Sequence, residues 1–339
     1  MRTVLTILAL AMTLIASTAG AALPEGAWDL YRQKFVTAEG RVVDDANGNI
    51  SHSESQGYGM LLACLAGDRS SFASIFAFTR TELLIRDDGL AAWRWDPNAK
   101  PHVTDINNAS DGDLLIAQAL ACAGTRWAMP AYTAAARQIA RSLAKVALLK
   151  RGGDLWLMPA AQGFSEKERA DGPVVNPSYW VFDALPVIAQ ITGDSSWMQV
   201  QASGLKLLDT LAKAKQLAPE WLSIKDAPKP AQGFPAQFGY NAIRIPLYLL
   251  RAGLGDKARL EPFRQAWANG TAVIDVATRK PVEPLPDAGY RILAAAMACA
   301  IDGAAIPADL KAFQPTLYYP STLHLLTLSM LAERYPRCM

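Results

Sequence analysis

Glu54 lies within residues 51–60, SHSESQGYGM, which are followed by the apolar residues 61–66. Ser51 or Ser53 can cap a helix that starts here, which places the carboxyl group of Glu54 in its first turn. A carboxyl group at the mouth of a helix can donate a proton to a bound substrate if its surroundings allow it to stay uncharged. The ordinary alternative is that Glu54 only completes a capping box with Ser51.

A second group of carboxylates lies in residues 109–120, ASDGDLLIAQAL. Ser110 and Asp111 fit the cap and first turn of an amphipathic helix, and capping is again the ordinary interpretation. A Ca²⁺ loop is disfavoured because the distal bidentate Glu is missing. Asp111 and Asp113, on either side of Gly112, could instead hold sugar hydroxyl groups.

Aromatic residues are dense near the predicted loops around these acids. They are Trp93, Trp95, Trp156, Tyr179 and Trp180. Flat rings stack on the C–H faces of pyranose units while carboxylates and amides bind the hydroxyl groups, so this mixture is typical of a polysaccharide cleft. About half of the tryptophans are expected in the core instead, and we expect Trp95 and Tyr179 to contact the sugar.

The elements that must position these residues are helices. Apolar periodicity predicts them at residues 25–38, 53–67, 70–85, 110–127, 130–148, 177–192, 195–214, 236–254, 256–269, 287–302, 307–313 and 321–335. Strand signals are confined to residues 40–50 and 153–158. The sequence therefore predicts an all-α protein with a minor β ribbon. Since no linker or composition shift divides the chain, residues 22–339 are expected to form a single domain.

The N-terminus predicts export. Met1 and Arg2 precede an apolar stretch at residues 4–15 and small residues at 16–22, the order of a secretory signal peptide. We expect a signal peptide over residues 1–21, with cleavage near Ala21 or Ala22. No other segment has 18 uninterrupted apolar residues, so the mature chain should lack a membrane span and reside in the periplasm or outside the cell. The net charge of only +2 gives no indication of nucleic-acid binding.

The cysteines and histidines give weaker signals. Export permits disulfides, but four cysteines allow three pairings, and Cys64 and Cys122, inside apolar helical runs, are expected to be buried thiols. The other two are Cys299 and Cys338. The three histidines lie far apart in the sequence without metal-ligand spacing, so we expect no metal site.

Three segments carry a resemblance to a known family. Residues 39–44 (EGRVVD), residues 53–60 and the signature from residue 109 to Trp127 resemble glycoside hydrolase family 8. The chain is most similar to the periplasmic endoglucanases that accompany bacterial cellulose synthases, from about Trp28 to Arg244, with less similarity beyond. The resemblance implies an (α/α)6 barrel of about twelve helices that hydrolyses β-1,4-glucan with inversion and without a cofactor. Cellulose synthase machinery is a candidate partner, and we expect a monomer.

The resemblance also implies roles for particular residues. Glu54 matches the proton donor, and Asp111 matches the aspartate that grips the sugar at the cleavage subsite. Tyr179 matches a tyrosine near that sugar, and Arg244 matches an arginine beside the usual general base.

The general base itself departs from the family pattern. Many members carry an aspartate where this sequence has Asn241, in the run GYNAIR that ends at Arg244. An amide can orient a water molecule but cannot take its proton at ordinary pH. Asp105, Asp183 and Asp287 are the alternative candidates, and the sequence does not rank them.

Three functions follow. The first is an endo-acting β-1,4-glucanase that trims nascent cellulose. The second is the same machinery acting on xylan, mixed-linkage glucan or chitosan. The third is a degenerate hydrolase that binds cellulose without cutting it, an interpretation that Asn241 supports.

Overall fold

The computed structural model describes residues 23–339, so the predicted signal peptide lies outside the described residues. This part of the chain contains twelve α-helices. They are α1 (Ala27–Phe35), α2 (Ser53–Ala66), α3 (Arg69–Phe78), α4 (Ser110–Arg126), α5 (Pro130–Ala147), α6 (Leu185–Thr192), α7 (Ser196–Lys213), α8 (Arg244–Ala252), α9 (Lys257–Ala266), α10 (Ala288–Asp302), α11 (Ala308–Lys311) and α12 (Tyr318–Arg334). None of these helices is both long and apolar enough to cross a lipid bilayer.

Ten short strands form four small antiparallel sheets in the same part of the chain. The strands are β1 (Ser51–His52), β2 (Arg94–Trp95), β3 (Leu148–Arg151), β4 (Asp154–Leu157), β5 (Val174–Val175), β6 (Leu222–Ser223), β7 (Lys229–Pro230), β8 (Gln237–Phe238), β9 (Ala272–Asp275) and β10 (Pro281–Pro284). The strand predicted at residues 153–158 is confirmed as β4. The strand predicted at residues 40–50 is wrong, since that segment makes only isolated bridges.

The even-numbered helices form an inner ring and the odd-numbered helices pack outside it. Helix α2 contacts α4, α4 contacts α6, α8 contacts α10, α10 contacts α12, and α12 returns to α2, while the 3₁₀ turn at residues 177–179 contacts both α4 and α8. The cause lies in the sequence: α2, α4 and α12 are buried almost all round, whereas α5 buries one stripe that includes Ala136, Ile139 and Leu143. The predicted all-α class is confirmed.

Helices α2 and α4 approach each other unusually closely. A Cβ added to Gly57 would lie 2.6 Å from Cβ of Leu115. Lower in the same pair, a disulfide joins Cys64 to Cys122. The expectation that both are free thiols is therefore wrong: their helical runs face one another, which brings the two sulfur atoms within bonding distance. A second disulfide joins Cys299 to Cys338.

The first turns of the inner helices point to the same end of the ring. Residues from the first turns of α2, α4, α8, α10 and α12 all line one cleft. The positive ends of several helix dipoles are thus gathered there, which stabilises negative charge in the cleft.

Two predicted helices begin later than expected. Residues 236–243 form β8 and a turn, and α8 starts only at Arg244. Residues 177–179 form a 3₁₀ turn, and α6 starts at Leu185. Each true start is marked by a proline in the first turn, Pro246 and Pro186, a position that proline tolerates.

Candidate active site

The cleft at this end of the ring has a volume of about 580 Å³ and is open to solvent. Its walls include Asp44, His52, Glu54, Trp93, Asp111, Tyr179, Asn241 and Arg244. Four residues that the sequence singled out, Glu54, Asp111, Tyr179 and Arg244, are thus brought together from four separate segments. Asn241 joins them.

His52, not a serine, caps the helix that carries Glu54. The Ser55 N–H donates to Nδ1 of His52 (3.0 Å), and Oγ of Ser55 accepts the His52 N–H (3.0 Å). The predicted cap by Ser51 or Ser53 and the predicted box between Ser51 and Glu54 are therefore wrong. Ser51 lies in β1, where its hydroxyl donates to the Val42 carbonyl (2.6 Å). Since His52 and Ser55 complete the cap, the Glu54 carboxylate is available for other contacts.

Asp111 lies in the first turn of α4 with a side chain that is only 2% exposed. Its Oδ1 accepts the Gly112 N–H (2.8 Å), and its Oδ2 accepts from Nη1 of Arg244 (2.8 Å). Burial, together with the nearby charge of Glu54, raises the pKa of Asp111 to about 6, although the charge of Arg244 opposes the rise. Asp111 is therefore a carboxylate that can hold a proton in mildly acidic solution.

Arg244 joins the two carboxylates. Nη1 donates to Asp111 and also to Oε2 of Glu54, whose side chain is 17% exposed. Nη2 donates to Oγ of Ser178 (3.0 Å) and to Oδ1 of Asn241 (2.8 Å). The guanidinium is buried, so one positive charge serves two negative ones in a place where water cannot screen them. The sequence placed Arg244 beside the base position but did not anticipate this bridge.

The aromatic expectations are only partly met by the geometry. Tyr179 lies in the cleft beneath the Arg244 guanidinium. Cζ of Arg244 is 5.7 Å from the centroid of the Tyr179 ring. Trp95 does not line this cleft. It is buried, its Nε1 donates to Glu82 (3.0 Å), and His102 stacks on its ring at 4.3 Å. Since that face is covered, Trp95 is not placed to stack on a sugar beside Glu54.

Trp93 takes the place in the cleft that we expected for Trp95. Its Nε1 donates to Oδ2 of Asp105 (2.8 Å), which fixes the indole. Asp105 is thus engaged with a ring of the cleft wall. The sequence indicates Trp93 as one of several aromatic residues near the acids, but it does not distinguish Trp93 from Trp95 as the one that lines the cleft.

Asp113 points away from the cleft. Oδ1 accepts the Ala91 N–H (2.9 Å) and Oδ2 accepts from Nδ2 of Asn108 (2.9 Å), while burial raises the pKa of Asp113 to about 7. The idea that both acids of the Asp-Gly-Asp element hold a sugar is therefore wrong for Asp113. It braces the loop that leads to Trp93.

The other acids proposed from sequence are scattered. Asp183 pairs with Arg251 (2.9 Å), which is seven residues and so roughly 10 Å along α8 from Arg244. Asp287 precedes α10 outside the cleft wall. Sequence reasoning missed Glu220, whose Oε1 accepts the Asn241 N–H (2.8 Å). Glu220 belongs to no motif, and only its proximity in the fold indicates its relation to Asn241.

Comparison with known proteins now decides the family, because the family model described as "Glycosyl hydrolases family 8" matches residues 1–333. The chain belongs to glycosyl hydrolase family 8. Its enzyme class, a glycoside hydrolase, is thereby confirmed, and the match extends well beyond Arg244, where the resemblance seen in the sequence weakened.

Relatives and solved structures agree with this family. The chain is 40% identical over 246 residues to a probable endoglucanase of Novacetimonas hansenii, covering 71% of each protein. It is similar to the endo-β-1,4-glucanase CMCax from Acetobacter xylinum (TM-score 0.79, 36% identity, 91% of this chain and 97% of that one). It is also similar to a family 8 endo-β-1,4-glucanase from an Achatina fulica gut metagenomic library (TM-score 0.81, 32% identity, 91% and 98%). The (α/α)6 fold is confirmed.

Proposed function

We propose that this chain is an endo-acting β-1,4-glucanase that hydrolyses cellulose or a related β-1,4-glucan with inversion at the anomeric carbon. The observation that carries the proposal is the bridge from Glu54 through Arg244 to Asp111 within an open, ring-lined cleft. The names of the family 8 relatives support the same substrate class.

In this proposal Glu54 is the general acid. It is the more exposed of the two bridged carboxylates, so a glycosidic oxygen entering the cleft can reach it. Asp111, held immobile by two hydrogen bonds, grips the sugar at the cleavage subsite and stabilises the positive charge that develops on the ring. Tyr179 and Trp93 provide faces for the sugar rings. Asn241 orients the attacking water molecule.

The charges of the site suit this chemistry. Glu54 and Asp111 share one guanidinium, so full ionisation leaves a net charge of −1 in a poorly solvated place. Burial and the neighbouring charge of Glu54 raise the pKa of Asp111, so Asp111 holds a proton more readily than an isolated aspartate would. In this proposal Glu54 delivers the proton to the departing oxygen.

The test is Glu54→Gln assayed on carboxymethylcellulose. Release of reducing ends should fall by about 10³-fold or more, since the acid is lost, while the far-UV circular dichroism spectrum stays unchanged. A rapid fall in viscosity with the wild type would confirm endo action, and ¹H NMR of the first product should show the α anomer. Substantial activity in the variant removes Glu54 from the acid role.

Two other functions remain as outcomes of a substrate panel. Faster hydrolysis of xylan, mixed-linkage glucan or chitosan than of cellulose would place the same chemistry on another β-1,4-glycan. Asn241 favours the second outcome, a homologue that binds glucan but is catalytically weak. Tight binding of cellohexaose without turnover across a broad pH range would establish it.

The proposal extends to location and partners. We propose that residues 1–21 are removed on export and that one catalytic domain works as a monomer in the periplasm or outside the cell, beside cellulose synthase machinery. Two disulfides support an oxidising compartment. Fractionation of cells that express the full chain, followed by N-terminal sequencing, tests the location.

A further inference from the structure

A half-buried carboxylate accepts a hydrogen bond from the backbone of the residue that departs from the family pattern. Asn241 occupies the position where many members have the general base, and its amide cannot take a proton from water. Its Oδ1 is already engaged, since it accepts from Nη2 of Arg244 (2.8 Å). The proton of an attacking water molecule must therefore go to another group nearby.

Glu220 is held next to Asn241 by a rigid set of contacts. Oε1 accepts the Asn241 N–H (2.8 Å), and the backbone N–H of Glu220 donates to the Gln237 carbonyl (2.9 Å). Gly239 leaves room for the carboxylate, because a Cβ there would lie 2.9 Å from Oε1. The following residue, Trp221, is stacked between two phenylalanines, which anchors the loop. These contacts hold the Glu220 carboxylate in one position, and Glu220 stays partly exposed to solvent.

The hydrogen-bond network connects Glu220 and Glu54 to different nitrogens of Arg244, Glu220 through Asn241 and Glu54 directly. The acid and the base of an inverting glycosidase lie on opposite faces of the sugar, with room for one water molecule between base and sugar. Asp44, another carboxylate of the cleft wall, has its Oδ2 3.4 Å from Nε2 of His52, the residue that caps the helix of Glu54, so it lies on the acid's side of the site. Glu220 instead lies with Asn241, across Arg244 from Glu54.

The electrostatic surroundings of Glu220 favour a basic carboxylate. Desolvation raises the pKa of Glu220 above its ordinary value, although hydrogen bonds from Asn241 and the charge of Arg244 oppose the rise. A carboxylate with a higher pKa accepts a proton from water more readily, as long as it remains ionised at the working pH.

We propose that Glu220 is the general base of this enzyme, an inference that rests on the proposed glucanase function. The water oxygen forms a bond to the anomeric carbon as the bond from that carbon to the glycosidic oxygen breaks. Glu54 gives its proton to the departing oxygen, and Oε2 of Glu220 receives a proton from the water. Asn241 and Arg244 keep the water and the sugar in line.

The experiment compares Glu220→Gln with the wild type on a soluble cello-oligosaccharide, with and without sodium azide. Gln keeps an oxygen that can accept the Asn241 N–H, so the loop should remain in place. We expect kcat to fall about 10³-fold with KM nearly unchanged. Azide needs no deprotonation, so it should restore cleavage in this variant and yield an α-glycosyl azide. It should not restore Glu54→Gln.

A second variant separates a base from a structural support. Adding Asn241→Asp to Glu220→Gln returns a carboxylate to the neighbouring position and should raise kcat at least tenfold over the single variant. The proposal is overturned if Glu220→Gln keeps more than a tenth of wild-type kcat, or if neither azide nor Asn241→Asp restores a lost activity. An azide product from Asp44→Asn or Asp287→Asn instead would assign the base to that residue. Failure of the wild type to cut any β-1,4-glucan would refute the proposed function and not this assignment alone.

Discussion

Gly112 faces Ser53 so closely that a Cβ on the glycine would lie 2.1 Å from the serine hydroxyl oxygen and 2.9 Å from the Glu54 backbone nitrogen. The glycine of the Asp-Gly-Asp element is thus the point where the first turn of α4 rests on the first turn of α2. Because Glu54 and Asp111 flank this contact, its spacing sets how far apart their carboxylates lie.

Replacing Gly112 by alanine should separate the two helices. The added methyl group overpacks a rigid contact, so we expect a loss of about 1–3 kcal/mol in the free energy of unfolding and a large fall in kcat. Urea titration and reducing-end release measure the two effects. Gly255→Ala is the matched control, because its Cβ would meet only the flexible ends of Leu250 and Leu260 at 3.1 and 3.2 Å. Equal loss in both variants would contradict the explanation.

The raised pKa of Asp111 predicts how stability depends on pH. Its folded-state pKa of about 6 exceeds the ordinary value of 3.8, so the protonated form favours folding. This contribution is complete below about pH 4 and is lost as pH rises through 6, to a limit of about 3 kcal/mol. Asp111→Asn does not titrate and should gain stability relative to the wild type between pH 4.5 and 7.5, while losing activity. Urea unfolding at both pH values measures the difference, and an unchanged difference would refute this reasoning.

The disulfide between Cys64 and Cys122 should matter to catalysis as well as to stability. It closes a loop of 58 residues and ties α2, with Glu54, to α4, with Asp111. In the chain-entropy model, Cys64→Ala with Cys122→Ala costs about 4 kcal/mol. The control pair Cys299→Ala with Cys338→Ala opens a loop of 39 residues and costs nearly as much. We expect only the first pair to lower kcat well below the melting temperature, and equal kcat values would disprove the coupling.

Because the imidazole of His52 caps α2, substitutions at His52 should lower stability by an amount that depends on whether the new side chain can still cap the helix. His52→Ala removes the acceptor for the Ser55 N–H and should cost about 1 kcal/mol, with a loss of activity because Glu54 lies in that turn. His52→Asn supplies another capping oxygen and should recover most of the stability. Thermal melts and kcat measured together test this. The expectation fails if the asparagine variant is no more stable than the alanine variant.

The sequence predicted α2 and α4 closely because each combines polar first-turn residues with a long apolar run, and both helices are buried almost all round. It failed on residues 236–254, where the apolar run is shared between β8 and α8. Only the pairing of β8 with β9, made by residues far along the chain, reveals that division. Apolar periodicity predicts which residues are buried, but it does not identify the distant segments that pack or pair with them.

The candidate site shows the same limit. Glu54, Asp111, Tyr179 and Arg244 could be found because they lie in recognisable segments. Trp95 was misplaced since a sequence cannot show that His102 covers its ring, and Cys64 and Cys122 looked like ordinary core residues until their helices were seen face to face. Glu220 could not be found from the sequence, because it belongs to no motif and its contact with Asn241 joins residues 21 positions apart.

Helix α12 contacts α2, so the last long helix closes the ring of helices that α2 begins. Tyr319 and Pro320 line the same cleft as Glu54, more than 260 positions earlier in the chain. Because a ribosome makes the N-terminus first, the cleft is complete only after nearly all of the residues that the structure describes have been synthesised. A chain that stops before α12 would lack this wall of the cleft.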